Sequence, residues 1–331
     1  MKAPDLSTTY LGLQLKNPII VGSSGLTDSV EKIVKLEKMG AAAVVLKSLF
    51  EEEILMEMEE QTHSMTNRHF VFPETMDYME SVETANILAD YLELISNSKK
   101  SVDIPVIASI NCVSSQKWIF FARAIEKAGA DALELNLFFL PSDTQRGEKQ
   151  IAETTSEIIA IIKKTVKIPV ALKISAYQSN LIRYSESIDL AGVEGVVLFN
   201  RSWLPDIDIN QLVISSGFVL SSPSDLGSTL RWVSILSGRL KCDIAASTGI
   251  HDGSGVIKQL LAGAQVCQVV SALYTTEQNH IAKMIDELSN WMVAHEFNSI
   301  SEFRGRLSQS NSGNPAAWER VQFMKYFRNF V

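Results

Sequence analysis

The sequence has few cysteines, and their placement excludes common metal centres. Its 331 residues include only three cysteines, Cys112, Cys242 and Cys267, and no two of them form a CxxC pair. Structural zinc and iron–sulfur sites usually need such pairs, so we predict no metal site. An odd number of scattered cysteines is typical of the reducing cytoplasm, where we expect this protein to work.

The sequence also lacks an excess of basic residues and a long apolar run. Its formal net charge is −8 at pH 7, whereas nucleic-acid-binding proteins usually carry a basic patch. No stretch approaches the roughly 18 apolar residues of a membrane-spanning helix. Residues 1–18 have the pattern of neither a signal peptide nor a membrane anchor. We therefore expect a small-molecule ligand, with no nucleic-acid partner and no membrane attachment.

What the sequence does contain is a regular alternation of short apolar runs with longer amphipathic runs. Continuous apolar runs are typical of parallel strands covered on both faces, and amphipathic runs are typical of the helices that cover them. The predicted strands span residues 17–25, 42–48, 104–112, 131–137, 168–175, 195–200, 242–249 and 266–273. The predicted helices span residues 28–41, 81–100, 115–130, 154–166, 180–193, 224–240, 253–264 and 280–295.

Eight strand–helix units within about 250 residues predict an α/β fold of the (β/α)8 TIM-barrel type. A doubly wound open sheet is the alternative. We expect one domain over residues 1–331, with an insertion at 49–80 after the second strand. A loop of that length is usually a lid or binding segment, or else a solvated insertion. A helical tail from about residue 297 would pack on the barrel or on a second subunit.

In such a barrel the reactive groups lie at the carboxyl ends of the strands. Here those ends carry two lysines and three asparagines, surrounded by hydroxyl residues and glycines. The set contains no histidine and few carboxylates, which disfavours metal-assisted hydrolysis and carboxylate-pair glycosidase chemistry. Its members are Ser23, Ser24, Gly25, Lys47, Ser48, Asn111, Asn136, Lys173, Asn200, Arg201, Ser247, Thr248, Gly249 and Ser271.

The loops after the last two strands predict a phosphate site. They read AASTGIHDGSG and VVSALY, and their small residues let backbone N–H groups approach a phosphate. The helix predicted to begin near Gly253 would direct its positive end at that phosphate. Flavin mononucleotide (FMN) fits this site, because asparagine and lysine match its pyrimidine edge and lysine stabilises the reduced anion. A lyase that forms a Schiff base at Lys173 on a sugar phosphate is the alternative.

Several blocks of the sequence, in this order and spacing, resemble one known family. They are LGLQLKNPIIVGSSGL, VVLKS, ALELNL, IPVALKIS, VVLFN and STGIHDGSGVIKQLLAGAQVCQVVSALY. Over about residues 5–280 the sequence is similar to the dihydroorotate dehydrogenases of the soluble class. The membrane-attached class carries an N-terminal helical extension that this sequence does not show. The resemblance implies an FMN-dependent oxidoreductase that oxidises dihydroorotate to orotate in pyrimidine synthesis, and we expect a homodimer.

The resemblance also implies roles for individual residues. Lys47 and Asn136 would contact both flavin and substrate, and Asn200 would bind substrate. Lys173 would face the flavin ring and stabilise its reduced anion. The remaining implied flavin contacts are Ser23, Ser24 and Ser48, with Thr248, Gly249, Val270 and Ser271 holding the phosphate.

The sequence departs from the family where the substrate should be deprotonated. Family members follow the fourth-strand asparagine with a serine, a cysteine or serine base, a proline and a second asparagine, whereas this chain reads NLFFLP. Phe139 therefore stands at the base position and Pro141 at the second asparagine. A phenyl ring cannot accept a proton, so the substrate is altered or dihydroorotate is not turned over. If the register of this loop is different, Ser142 is the base.

Two further departures concern the loops around the substrate. Arg201 replaces a small hydroxyl residue, and it would either bind an anionic substrate or form an ion pair. The family's glycine-rich loop after the sixth strand is VLSSPSD here, at residues 219–225. Within 49–80 the only candidate for another substrate asparagine is Asn67.

Overall fold

The structure is a computed structural model that describes residues 3–51, 73–111, 115–137, 142, 147–201, 204–217, 220–276 and 279–319. Its strands are β1 (Thr8–Tyr10), β2 (Leu13–Leu15), β3 (Ile19–Val21), β4 (Ala43–Val45), β5 (Leu49–Phe50), β6 (Val106–Asn111), β7 (Ala132–Asn136), β8 (Val170–Ile174), β9 (Gly195–Leu198), β10 (Pro205–Asp208), β11 (Val213–Ser216), β12 (Asp243–Ser247) and β13 (Val266–Val269). Its helices are α1 (Val30–Lys38), α2 (Pro73–Ser101), α3 (Ser115–Ala128), α4 (Glu148–Thr165), α5 (Leu181–Leu190), α6 (Leu226–Leu236), α7 (Gly253–Ala262), α8 (Ser271–Thr275), α9 (His280–Ala294) and α10 (Ala316–Glu319).

Eight parallel strands of the described chain close into a barrel. Their order around the barrel is β3, β4, β6, β7, β8, β9, β12 and β13, and β13 pairs with β3 to complete the ring. The strands are apolar and buried because the surrounding helices cover the outside of the barrel. The predicted (β/α)8 barrel is confirmed, and the closing β13–β3 pair excludes the open doubly wound sheet.

The amino-terminal half of the barrel interior is apolar and closed. It is filled by small and branched side chains from the strands, among them Ala132, Ala171 and Ala245. The hairpin β1–β2 closes this end, since Tyr10 packs against the interior cluster and the Leu11 N–H donates a 2.8 Å hydrogen bond to Asp243 at the start of β12. Polar chemistry is therefore confined to the other half of the barrel.

Some elements differ from the sequence-based expectations. The last strand ends at Val269 instead of residue 273, because the chain turns into the short helix α8 at Ser271. Helix α2 begins at Pro73, within the segment predicted as an insertion, and β5 pairs with β6 at the start of that segment. Residues 52–72, which include Asn67, lie outside the described chain.

Two antiparallel hairpins and the tail complete the chain. The hairpin β1–β2 precedes the strand–helix alternation, the hairpin β10–β11 interrupts it after β9, and neither was predicted. The tail contains a 3-10 turn at Ile300–Glu302 and the helix α10. Residues 320–331, the larger part of the predicted helical tail, lie outside the described chain. Every helix among the described residues is too short or too polar to cross a membrane.

Candidate functional site

A cavity of about 470 Å³ opens at the carboxyl ends of the barrel strands. This volume lies within the roughly 300–1,000 Å³ that small-molecule sites occupy. Most of the predicted site residues line it, namely Ser23, Ser24, Lys173, Asn200, Thr248, Gly249, Val270 and Ser271. The other lining residues are Phe199, Arg201, Leu220, Ser221, Ser247, Ile250, Gln268 and Tyr274.

Asn136 reaches the site through Asn200. Asn136 is the last residue of β7 and is buried, and its side-chain oxygen accepts a 2.8 Å hydrogen bond from Nδ2 of Asn200. The Asn200 backbone N–H donates to the Ile174 carbonyl at 2.8 Å, which continues the β8–β9 pairing beyond the strand ends. The structure therefore brings these two predicted residues together.

Ser48 reaches the site through Ser23, as part of a buried chain of hydroxyl groups. The Ser48 N–H donates to Oγ of Ser23 at 2.9 Å, and the Oγ atoms of Ser48 and Ser109 are 2.7 Å apart. The Tyr91 hydroxyl donates to the Ser109 carbonyl and accepts from the Ser109 N–H. Burial raises the pKa of Tyr91, so this hydroxyl keeps its proton and its role as donor. Sequence patterns did not identify Ser109 or Tyr91, because their contact forms only when the helix α2 packs against the strand β6.

Lys47 is placed differently from the other predicted residues. It lies two residues beyond the end of β4, but its side chain is exposed and does not line the cavity. Its backbone N–H lies 3.4 Å from the Thr27 carbonyl. The predicted contact of Lys47 with flavin and substrate stays a prediction.

Lys173 lies at the centre of a buried charged group. Its Nζ donates to Oε1 of Gln268 at 3.1 Å and lies 3.7 Å from Oε1 of Glu134. Nε2 of Gln268 in turn donates to Oε2 of Glu134 at 2.6 Å. Gln268 and Glu134 were not predicted, although each is a polar residue within an otherwise apolar strand, which is the signal that could have identified them.

The loop after β12 forms a tight backbone turn against the cavity. Thr248 and Gly249 have φ angles of 76° and 77°, in the left-handed region. A Cβ atom on Gly249 would lie 2.2 Å from the Leu226 backbone nitrogen, so only glycine fits. Ser221 links this loop to α8, because its Oγ accepts from the Gly249 N–H at 3.3 Å and its N–H donates to Oγ of Ser271 at 2.9 Å.

The family model described as dihydroorotate dehydrogenase matches residues 5–292. The chain belongs to the dihydroorotate dehydrogenase family. Members of this family are flavin-dependent oxidoreductases.

Curated relatives of the same family cover nearly the whole chain at low identity. The dihydroorotate dehydrogenase B (NAD(+)) catalytic subunit of Thermoplasma acidophilum is 25% identical over 309 residues, which is 91% of this chain and 98% of the relative. The corresponding subunit of Thermoplasma volcanium is 27% identical over 309 residues, with the same coverage of both chains. That of Anoxybacillus flavithermus is 26% identical over 312 residues, 91% of this chain and 95% of the relative.

The residues of the cavity fit the flavin that the dihydroorotate dehydrogenase family uses. Lys173 supplies a buried cation, and the Asn136–Asn200 pair supplies amide donors and acceptors. The crowded turn at Thr248 and Gly249 brings the backbone close to the cavity, as a phosphate site needs.

One expectation about the phosphate end is wrong. The N-terminus of α7 is not directed at a ligand, because carboxylates already bind its backbone N–H groups. The Gly255 N–H donates to Asp252 and the Gly253 N–H donates to Glu287, each at 2.7 Å. Two negative groups at this helix end would repel a phosphate.

Arg201 is both an ion-pair partner and part of the cavity wall. Its Nη1 lies 3.1 Å from Oδ2 of Asp225, and the same carboxylate oxygen accepts from the Ser222 N–H at 2.8 Å. The expected ion pair is therefore present, while the side chain also faces the cavity. Phe139 and Pro141, which the sequence resemblance aligns with the family's base and second asparagine, lie outside the described residues. Ser142 is described, and it is exposed.

Proposed function

We propose that the protein is an FMN-dependent oxidoreductase that acts on CH–CH groups. The observation that carries this proposal is Lys173, a buried lysine in the wall of a nucleotide-sized cavity at the carboxyl end of a dihydroorotate dehydrogenase barrel. FMN is the flavin that the sequence resemblance implies, and the turn at Thr248 and Gly249 lines the cavity where its phosphate would bind.

In this proposal each part of the cavity holds a different part of the cofactor. When bound, FMN would supply the oxidising chemistry, and its reduced form would carry a negative charge. Lys173 stabilises that negative charge. Asn136 and Asn200 present amide groups to the flavin and to the substrate. Ser23, which is hydrogen-bonded to Ser48, lies on the other side of the cavity. Thr248, Gly249, Val270 and Ser271 hold the phosphate.

We propose that the substrate is not dihydroorotate itself. Phe139 occupies the position of the family's base and cannot remove a proton. Arg201, which lines the cavity where the family usually has a small hydroxyl residue, favours a substrate with an anionic group. The same substitution at Phe139 supports a second candidate function, a protein that binds FMN and turns over no substrate.

The Schiff-base lyase has less support. Schiff-base formation needs a neutral lysine, whereas Lys173 lies beside the carboxylate of Glu134, which attracts a positively charged amine.

We also propose a homodimer that works in the cytoplasm. The hairpin β10–β11 exposes a group of large apolar side chains near the site, and such patches often mark contacts between proteins. They are Leu204, Ile207, Ile209, Leu212, Val213 and Ile214. Cys242 and Cys267 are free thiols, as expected in a reducing compartment.

The identity of the bound cofactor tests the function. Purified protein should be yellow, and the flavin released by denaturation should run as FMN in chromatography and have its mass. Protein that is colourless and does not bind added FMN would contradict the proposal.

A further inference from the structure

Glu134 carries a buried charge below the cavity, and Lys173 is its one ion-pair partner among the described residues. Glu134 is in the middle of β7 and is 1% exposed. Its Oε2 accepts from Gln268, whereas no hydrogen-bond donor among the described residues reaches its Oε1. The ammonium of Lys173 lies 3.7 Å from that oxygen.

The barrel shields Glu134 from water. In the ring of eight strands, β7 and β13 are diametrically opposite. The side chains of Glu134 and Gln268 therefore reach across the whole interior to form their hydrogen bond. Among the described residues, the apolar interior cluster and the buried hydroxyl of Tyr10 lie beneath it. Burial, followed by the charge of Glu134, raises the pKa of Tyr10, so this hydroxyl stays neutral. Lys173 and Gln268 line the cavity, whereas Glu134 does not. These two side chains therefore separate Glu134 from the cavity.

We infer that Glu134 is a positioning residue that acts through Lys173 and lowers the reduction potential of the bound flavin. Glu134 and Gln268 hold Nζ of Lys173 from below, and the carboxylate offsets part of its positive charge. Lys173 therefore stabilises the reduced anion less than an uncompensated lysine would, because interactions between buried charges are weakly screened. This inference rests on the proposed function, since it concerns FMN bound beside Lys173.

The test is the midpoint potential of bound FMN, measured anaerobically at pH 7 against reference dyes. Glu134→Gln keeps the size of the side chain and removes its charge. We expect the potential of the flavin bound to this variant to rise. For a two-electron couple, a rise of about 30 mV corresponds to a tenfold change in the ratio of oxidised to reduced flavin. Glu194→Gln is the matched control, because Glu194 also pairs with a lysine, Lys163, but at the amino-terminal end of the barrel. Its potential should equal that of the wild type.

Two further variants separate charge from packing. Glu134→Asp keeps the charge, but its side chain is one methylene shorter, so the carboxylate lies farther from Lys173. The potential of its bound FMN should therefore lie between those of the wild type and Glu134→Gln. If Glu134→Gln does not fold, Glu134→Asp carries the test, and a wild-type potential overturns the inference. In a Lys173→Met background, Glu134→Gln should no longer change the potential. A change of full size there would mean that Glu134 acts on the flavin directly, which contradicts the inference.

The outcomes distinguish this inference from the proposed function. If the wild type binds no FMN, both are wrong. If FMN is bound and Lys173→Met lowers its potential, while Glu134→Gln and Glu134→Asp match the wild type, only the role of Glu134 is wrong. Titration of each apoprotein with oxidised FMN, followed by quenching of flavin fluorescence, should show similar affinities for the wild type and the Glu134 variants. A loss of binding in the Glu134 variants would indicate a merely structural role and would overturn the inference.

Discussion

Nδ2 of Asn200 donates a 2.8 Å hydrogen bond to the side-chain oxygen of Asn136, across the end of the strand that carries Lys173. Strand β8 lies between β7 and β9, and Asn136 pairs in register with Lys173. The bond therefore fixes two amides beside one buried cation before any ligand binds. Such preorganisation reduces the cost of ordering a site when it binds its ligand.

The turn at Gly249 should be essential for FMN binding. Gly249→Ala places a Cβ 2.2 Å from a backbone nitrogen in a left-handed conformation, and such strain typically costs about 1–3 kcal/mol. We expect at least about a tenfold loss of FMN affinity, measured by fluorescence titration. Gly192→Ala is the control, because Gly192 is also left-handed, with a φ of 94°, but has open space around it. Equal affinities in both variants would show that the turn does not hold FMN.

Lys173 should set the reduction potential of the flavin. Lys173→Met removes the cation that favours the reduced anion, so the potential should fall or the cofactor should be lost. Lys163→Met removes a lysine at the other end of the barrel, so it should change neither the reduction potential nor the FMN content. If Lys173→Met leaves both potential and FMN content unchanged, Lys173 does not contact the flavin.

Phe139 should make the protein a poor dihydroorotate dehydrogenase. A general base is typically worth about 10²–10⁴ in rate, and a phenyl ring supplies none. We expect dihydroorotate to reduce the bound flavin very slowly under anaerobic conditions, although light reduces the same flavin readily. Rapid reduction by dihydroorotate would show that another group, such as Ser142, acts as the base. Phe139→Cys could restore rate only if Pro141 and the loop at 49–80 allow productive binding.

The hairpin β10–β11 should form the dimer contact. Ile207 and Ile214 are directly opposite each other in the hairpin, 66% and 76% exposed. Replacing both with aspartate should convert the dimer to a monomer, as measured by size-exclusion chromatography with light scattering. Leu190→Asp should leave the dimer intact, because Leu190 is 85% exposed but lies on α5. A wild type that is monomeric at micromolar concentration would contradict the homodimer.

Local patterns were sufficient to predict the barrel. A buried strand such as β8 needs an apolar run, and an amphipathic helix such as α9 needs an apolar stripe, and both signals lie within a few neighbouring residues. Because parallel strands share a direction, their carboxyl ends bring residues such as Lys173 and Asn200 to the same face of the barrel. Elements without such signals were missed, notably the exposed hairpin β10–β11.

Contacts between distant residues could not be predicted in this way. The sequence suggested that the N-terminus of α7 faces a phosphate, but Glu287, 34 residues beyond Gly253, binds it instead. The sequence placed Lys47 at a strand end, but in the structure its side chain is exposed and does not line the cavity.

The sequence by itself determined the barrel, the family and the residues at the strand ends, because each depends on short-range pattern or on the order of local motifs. The tertiary structure alone decided how those residues are connected. Gln268 and Glu134 are 134 residues apart, and they meet only because closure of the ring places their strands on opposite sides of one narrow interior. Closure and register are properties of all eight strands together, so no single segment encodes the contacts that they create.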